Sequence, residues 1–451
     1  MPRAVDPIDA PLVAGDSASP SITELQTPAR LASAAQSWRS RLGWTGFSRN
    51  VWILLLFTLG KGFQISIGAV TINLYVYSLG YKEDFVGLFA GMSALAALVM
   101  ALPAGMISDR LGRKPVMLVT GLITPLTLVA IAFSTSVPAL LISAFFNGIF
   151  ASFYWVTTVP MLAESVEDDQ RVSVLALNSF LLLGVGALGS LVGGFVPEIA
   201  GALLHQPATH SLPLRLGVLS AAVVVSLTAL PLFWLRAAPK AAAQPQQSGA
   251  QQQPGQGVAA SSAAGRSMLV LFAMLLIPDA LISFGEGSVV GLMQLFFFLK
   301  FGLQPGTLGG LFTVAGLLGG LAGLGAPLLV KRWGKLRTAT GLQLATAPVM
   351  LITGFAPWLL LAAGAEYVRT MLRAFLDPVY SAFVVEQLPE DRRATIFGLY
   401  SITWGLGFSL GPSLGGWLQA RVSLSATFVI GAACLLIAPT MLLLFFGRRR
   451  I

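Results

Sequence analysis

The feature that most constrains this chain is a succession of apolar stretches, each long enough to cross a lipid bilayer. Crossing one as a helix takes about 20 predominantly apolar residues. Twelve runs qualify, at 51–79, 84–108, 115–134, 137–163, 174–197, 213–235, 268–299, 306–330, 338–355, 357–385, 396–418 and 422–446. Charged residues make up only 10% of the 451 residues, against roughly 25% in soluble domains, so the chain has too little polar surface to cover itself in water. A lipid bilayer is its expected solvent and partner. The net charge of +9 does not indicate nucleic acid, because the basic residues fall between apolar runs rather than on one polar face.

Lys and Arg are retained on the cytoplasmic side of a membrane. With the N-terminus inside, tails and even-numbered links hold 21 of the 28 basic residues, outer links hold four (Lys82, Arg215, Lys300, Arg421) and spans hold three (Lys61, Arg369, Arg373). Both termini are therefore expected in the cytoplasm, with the protein multi-pass in the plasma (inner) membrane. The expected organisation is a cytoplasmic tail at 1–48, a six-helix bundle at 49–236, a flexible Ala/Gln/Pro/Gly linker at 237–266, a second six-helix bundle at 267–447 and a basic tail at 448–451.

The two bundles repeat in sequence. At a constant offset of 222 residues Arg110 falls on Arg332, Gly112 on Gly334, Glu164 on Glu386, Asp169 on Asp391, Arg171 on Arg393, Gly189 on Gly411 and Gly193–Gly194 on Gly415–Gly416. Six spans is an even number, so the copies point the same way. The expected fold is an all-α membrane protein of twelve transmembrane helices, its two bundles related by a pseudo-twofold axis along the membrane normal.

The stretch "GMISDRLGRKPVM", Gly105 to Met117, is similar to the loop between helices 2 and 3 of the major facilitator superfamily, and "PLLVKRWGKLR" (Pro327 to Arg337) is its weaker copy. The chain is thus identified as resembling a bacterial-type secondary transporter of that superfamily. The resemblance implies a cytoplasmic gate made by Gly105, Asp109, Arg110, Gly112, Arg113 and Lys114, in which Asp109 faces the start of helix 11, where a helix N-terminus favours an anion. Lys331 replaces the acid in the second copy, and the helix 4 arginine of proton-coupled relatives is Ala144 here. The full "GFSLGPSLGG" pattern (Gly407 to Gly416) lies in helix 11 rather than helix 5.

Seven ionisable residues fall inside spans: Lys61, Asp279, Glu286, Glu366, Arg369, Arg373 and Asp377. At about 3 kcal/mol each against lipid they would together cost about 20 kcal/mol, so they must face one another or water. At about 100° per residue, Glu366, Arg369, Arg373 and Asp377 share an arc of about 80° on one helix. Lys61 in "GKG" and Glu286 in "GEG" occupy matching places in the repeat, at an offset of 225, so that across the pseudo-twofold axis these opposite charges could meet. Lys61, Glu286, Glu366, Arg369, Arg373, Asn147 and Gln64 are the expected substrate or proton site, with Glu286 the first candidate for protonation. Asp279 and Asp377 are candidates for a gate or a structural pair. Tyr154, Trp155, Asn73 and Gln294 either add polar contacts or pack helices together.

"GVGALG" (Gly184 to Gly189) lies within an apolar span, so it reads as helix packing rather than a dinucleotide loop. The chain carries no G-x4-G-K-[ST] or HExxH motif. No enzyme activity, cofactor or metal is expected. The partners are a small-molecule substrate and protons or another ion, with a monomer as the assembly. The expected function is secondary active transport by alternating access, proton-coupled. The alternatives are a multidrug-type efflux antiporter and, from another class, a membrane sensor or scaffold that moves nothing.

Overall fold

The computed structural model describes residues 47–167, 170–235, 262–323, 325, 330, 332–386 and 393–446. The tail at 1–46, most of the linker, Asp169, Lys331, Asp391 and the basic C-terminus lie outside the described residues. Met1–Phe47 and Ser48–Ile451 are separate units, and the second is the body described below.

In the first half α1 is Arg49–Ser78, α2 Glu83–Leu111, α3 Arg113–Phe133 and α4 Val137–Glu164. The broken helix α5 runs from Arg171–Ser179 through a π turn (Phe180–Gly184) and a 3-10 turn (Val185–Leu188) into Gly189–Leu204, and α6 is Ser211–Ala229 with a 3-10 extension, Leu230–Trp234. In the second half α7 is Ser262–Val290 and, after a break, Met293–Phe301; α8 is Pro305–Gly323, α9 Lys335–Phe355, α10 Leu359–Glu386, α11 Arg393–Arg421 and α12 Ala426–Phe446. Twelve helices stand where the twelve apolar runs were read.

Among the described residues nine of the twelve are long and apolar enough to cross a bilayer on composition alone, and α9, α10 and α11 fall short of that. The physical reason differs by helix. α10 carries Glu366, Arg369, Arg373 and Asp377 in its central stretch, while α9 carries threonines whose hydroxyls return to their own backbone, Thr346 to Leu342 O at 2.8 Å and Thr353 to Val349 O at 3.1 Å. Such back-bonding satisfies a hydroxyl inside a helix, so the helix loses hydropathy without needing water.

The packing pattern is duplicated. α1 packs on α5 and α6, α2 on α4, and α3 on α4 and α6; six helices further on, α7 packs on α11 and α12, α8 on α10, and α9 on α10 and α12. The links repeat as well. Gly80 and Gly112 have φ +94° and +89°, and their partners 222 residues later, Gly302 and Gly334, have φ +62° and +76°. Only glycine takes that region freely, which is what lets Gly112 join α2 to α3, and Gly334 enter α9, in a single residue.

Leu102, Leu126, Leu203, Leu227 and Leu360 are exposed on the outside, while Lys61, Asp279, Glu286, Glu366 and Arg369 are buried. This inversion of the soluble pattern suits hydrocarbon outside and polar groups within.

With twelve passes the start of α1 and the end of α12, the terminal ends of the helical body, lie at one end of the bundle. The halves meet through α2 on α11 and α5 on α8, and their glycine contacts run from the opposite, far end to mid-helix. A Cβ on Gly416 would lie 3.0 Å from Gly87 Cα, one on Gly306 would lie 2.5 Å from the Glu198 carboxylate, and one on Gly320 3.3 Å from Gly184 Cα. At this far end the Gly306 N–H, in the first turn of α8, donates to Glu198 Oε1 on α5 at 2.9 Å, and Asn73 Nδ2 on α1 donates to Gly291 O in the α7 break at 2.9 Å. The break therefore does not leave its carbonyl bare in the bilayer.

Overpacking this seam should force the far end apart. Gly416→Val is expected to lengthen the distance between spin labels at Lys82 and Gln304, read by pulsed electron resonance, and to cost about 1–3 kcal/mol of stability; Glu198→Ala should act in the same direction. An unchanged distance distribution in both variants contradicts this assignment of the closed end.

Candidate functional site

The glycines around each buried charge explain its position. Gly60 of "GKG" abuts Thr228 on α6 and Gly62 abuts Leu182 and Gly186 on α5; Gly285 of "GEG" abuts Cys434 on α12 and Gly287 abuts Gly407 and Phe408 on α11. The two motifs are thus structurally equivalent. Small residues let the flanking helices approach closely, and the ionisable residue between each glycine pair stays buried within its half.

The C-terminal half holds a lattice of charges. Arg369 Nε and Nη2 donate to Glu366 Oε2 and Oε1 at 2.8 and 2.7 Å, a bidentate pair. Arg369 Nη1 reaches Glu286 Oε2 on α7 at 3.2 Å, and Arg373 Nη1 reaches the same oxygen at 3.2 Å. Arg373 Nε donates to Asp377 Oδ1 at 2.7 Å, and its guanidinium lies 4.7 Å from the centroid of the Trp404 ring on α11. Glu286 thereby ties α7 to α10 through two arginines. Charge-assisted bidentate pairs are the strongest protein hydrogen bonds, and here they satisfy groups that lipid could not.

Side-chain exposure rises along the α10 stripe towards the end that carries the termini: 2% at Glu366, 7% at Arg369, 18% at Arg373 and 61% at Asp377. Charged groups at membrane depth become exposed only where water reaches them. The stripe thus opens towards that end, its deepest member being Glu366 and its most exposed Asp377.

In the N-terminal half Lys61 Nζ donates to Gln64 Oε1 at 2.6 Å and lies 5.2 Å from the centroid of the Tyr154 ring on α4. Tyr154 OH donates to Thr58 Oγ1 at 3.4 Å, and Thr58 Oγ1 donates to Asn178 Oδ1 on α5 at 2.8 Å. Among the described residues no carboxylate lies within ion-pair distance of Lys61, and the ion pairs of Glu286 are with Arg369 and Arg373. The two motif charges thus do not meet in this conformation.

The sequence-derived candidates separate into groups. Glu286, Glu366, Arg369, Arg373 and Asp377 come together, as do Lys61 and Gln64. Asn147 instead donates to Thr127 Oγ1 on α3 at 2.9 Å, packing α4 against α3. Asp279, fully buried, accepts from Thr403 Oγ1 on α11. At the end of α2 Asp109 and Arg110 are exposed and Gly105 is half-buried; at the start of α3 Lys114 is half-buried and Arg113 pairs with Glu164 at 2.5 Å; the side chains at the start of α11 lie outside the described residues. Thr58, Asn178, Thr403 and Trp404 were not singled out from sequence, because an isolated polar or aromatic residue in a span carries no periodic signal.

A helical bundle of two like-packed halves, lined inside by paired charges and apolar outside, defines an integral membrane transport protein. The chain belongs to the Major Facilitator Superfamily, whose family model matches residues 51–365 and 279–451. It is 28% identical over 166 residues to the "Multi-drug resistance efflux pump PmrA" of Streptococcus pneumoniae, covering 36% of this chain and 41% of the pump. The chain thus spans about two fifths of the length of that curated relative. It is 23% identical over 382 residues to the uncharacterised MFS-type transporter YuxJ of Bacillus subtilis, covering 80% of this chain and 89% of YuxJ. Its fold is similar to the crystal structure of a D-xylose-proton symporter, with TM-score 0.68, 14% identity, and 87% and 96% of the two chains covered.

Breaking the lattice at its centre should be costly. Arg369→Ala leaves Glu286 and Glu366 buried beside less positive charge, which costs about 3–5 kcal/mol; thermal unfolding of the purified protein in detergent should show a large loss, partly restored by Glu366→Gln in the same chain. Wild-type stability in Arg369→Ala would contradict the geometry.

Proposed function

We propose that this protein is a proton-coupled secondary active transporter that moves a small polar or charged solute across the plasma membrane by alternating access. The observation that carries the proposal is the rise in exposure along Glu366, Arg369, Arg373 and Asp377 on α10 towards the termini-bearing end, together with the glycine seam that holds the far end closed. The basic residues concentrate at the termini-bearing end, which supports a cytoplasmic location for it and hence an inward-facing conformation. Alternation exchanges this seam for one at the cytoplasmic end, where Asp109 meets the N-terminus of α11 and Arg110, Arg113 and Lys114 complete the cluster. Lys61, Gln64, Glu286, Glu366, Arg369 and Arg373 form the solute and proton site. The energy source is an ion gradient.

A second reading is multidrug efflux, favoured by the likeness to a protein named as a multidrug efflux pump. Both readings are tested in proteoliposomes holding a trapped pH-sensitive dye, against a panel of organic anions, sugars, amino acids and lipophilic cationic dyes. At least one solute should drive proton movement that Asp109→Asn reduces tenfold or more. Response to cationic dyes alone selects the efflux reading, and proton movement with no member of the panel contradicts both.

A further inference from the structure

Among the described residues three buried carboxyl groups lie in the C-terminal half, and their surroundings differ. Glu286 touches Arg369 and Arg373, and Glu366 is clasped by Arg369. Asp279, seven residues before Glu286 and hence about 10 Å from it along α7, is fully buried and touches no cation among the described residues. Its Oδ2 accepts from the Thr403 hydroxyl, and its Oδ1 has no hydrogen-bond partner among them.

The helices packed on α7 offer little else. α12 contributes no charged side chain and only Cys434, which lies against Gly285. α11 contributes the neutral Thr403 and Trp404 among its described side chains, its Arg421 being at the opposite end of the helix. From α10 the charged group that acts on Asp279 is Arg373, which is engaged with Glu286, Asp377 and the Trp404 ring.

Burying an ionised carboxylate that accepts from one hydroxyl and touches no cation is unfavourable. The same burial is compatible with a neutral acid.

We propose that Asp279 is the proton-binding site of the C-terminal half and holds its proton in the conformation described here. Its role in coupling rests on the proton-driven reading given above; its occupancy by a proton does not. Release breaks the carboxyl O–H bond, passes the proton to water and leaves a carboxylate. That new anion competes with Glu286 for Arg373, and because Thr403 and Trp404 are adjacent on α11, the exchange bears on the helix that must move against α2.

The probe for a protonated carboxyl in apolar surroundings is dicyclohexylcarbodiimide, which reacts with the acid and not with an ion-paired carboxylate. Peptide mass spectrometry of the full-length protein should show the adduct on Asp279, falling as pH rises, with Glu286 and Glu366 unmodified. Adducts on Glu286 or Glu366 with Asp279 unmodified overturn the proposal. The second measurement is the pH dependence of the spin-label distance between Lys82 and Gln304, which should be lost in Asp279→Asn and restored with a shifted midpoint in Asp279→Glu. A wild-type distance that ignores pH while Asp279 is modified supports the proton site and sinks the coupled reading. A pH response undiminished in Asp279→Asn overturns the proposal.

Discussion

The structure depends on the pairing of charges that a bilayer will not solvate. One carboxylate on α7 and one on α10 are held by two arginines on α10, with Glu286, Glu366 and Arg369 all buried. Removing one partner from such a lattice costs more than removing a surface pair, since the survivor stays buried with its charge. The lattice is therefore cohesive only as a set, and anything that competes for one member, a solute or a proton, changes the forces on the rest.

The halves are joined in a different way. Their seam is built from backbone approaching backbone, through Gly87, Gly194, Gly306, Gly309 and Gly416, with few side chains to interlock. Close approach of small residues is itself what drives such helices together in lipid. Glu198 of α5, seated on the first turn of α8, adds a directional contact, a carboxylate on a helix N-terminus. Ion pairs bind α7 to α10 within one half, while backbone packing joins the two halves.

Much of this was legible in the residues. The run lengths indicated twelve spans, and the offset of 222 anticipated the like packing of the halves and the paired glycine link at 112 and 334, while the pair at 80 and 302 emerged only from the backbone. The arc on α10 placed Glu366, Arg369, Arg373 and Asp377 on one face, because helical angle depends only on spacing. Partner choice was not legible. Lys61 and Glu286 match in the repeat, yet each is satisfied within its own half, since a symmetry-related place states an equivalence and not a contact. Asn147 was read towards the interior but turns to Thr127, and the bond from Thr403 to Asp279 joins residues 124 apart, a pairing that only packing decides. The π turn in α5 likewise follows from close approach to α1 and α8, which no local pattern encodes.

The central claim is that the charged face of α10 borders water that enters from the termini-bearing end while the opposite face borders lipid. The direct measurement is thiol accessibility in oriented membranes, with Cys434 replaced by Ser and single cysteines at Asp377 and at Val368 on the other side of the helix. A membrane-impermeant maleimide should modify the cysteine at 377 from the side faced by the termini-bearing end and leave the one at 368 untouched. Modification at 368 with none at 377 from either side would contradict the account.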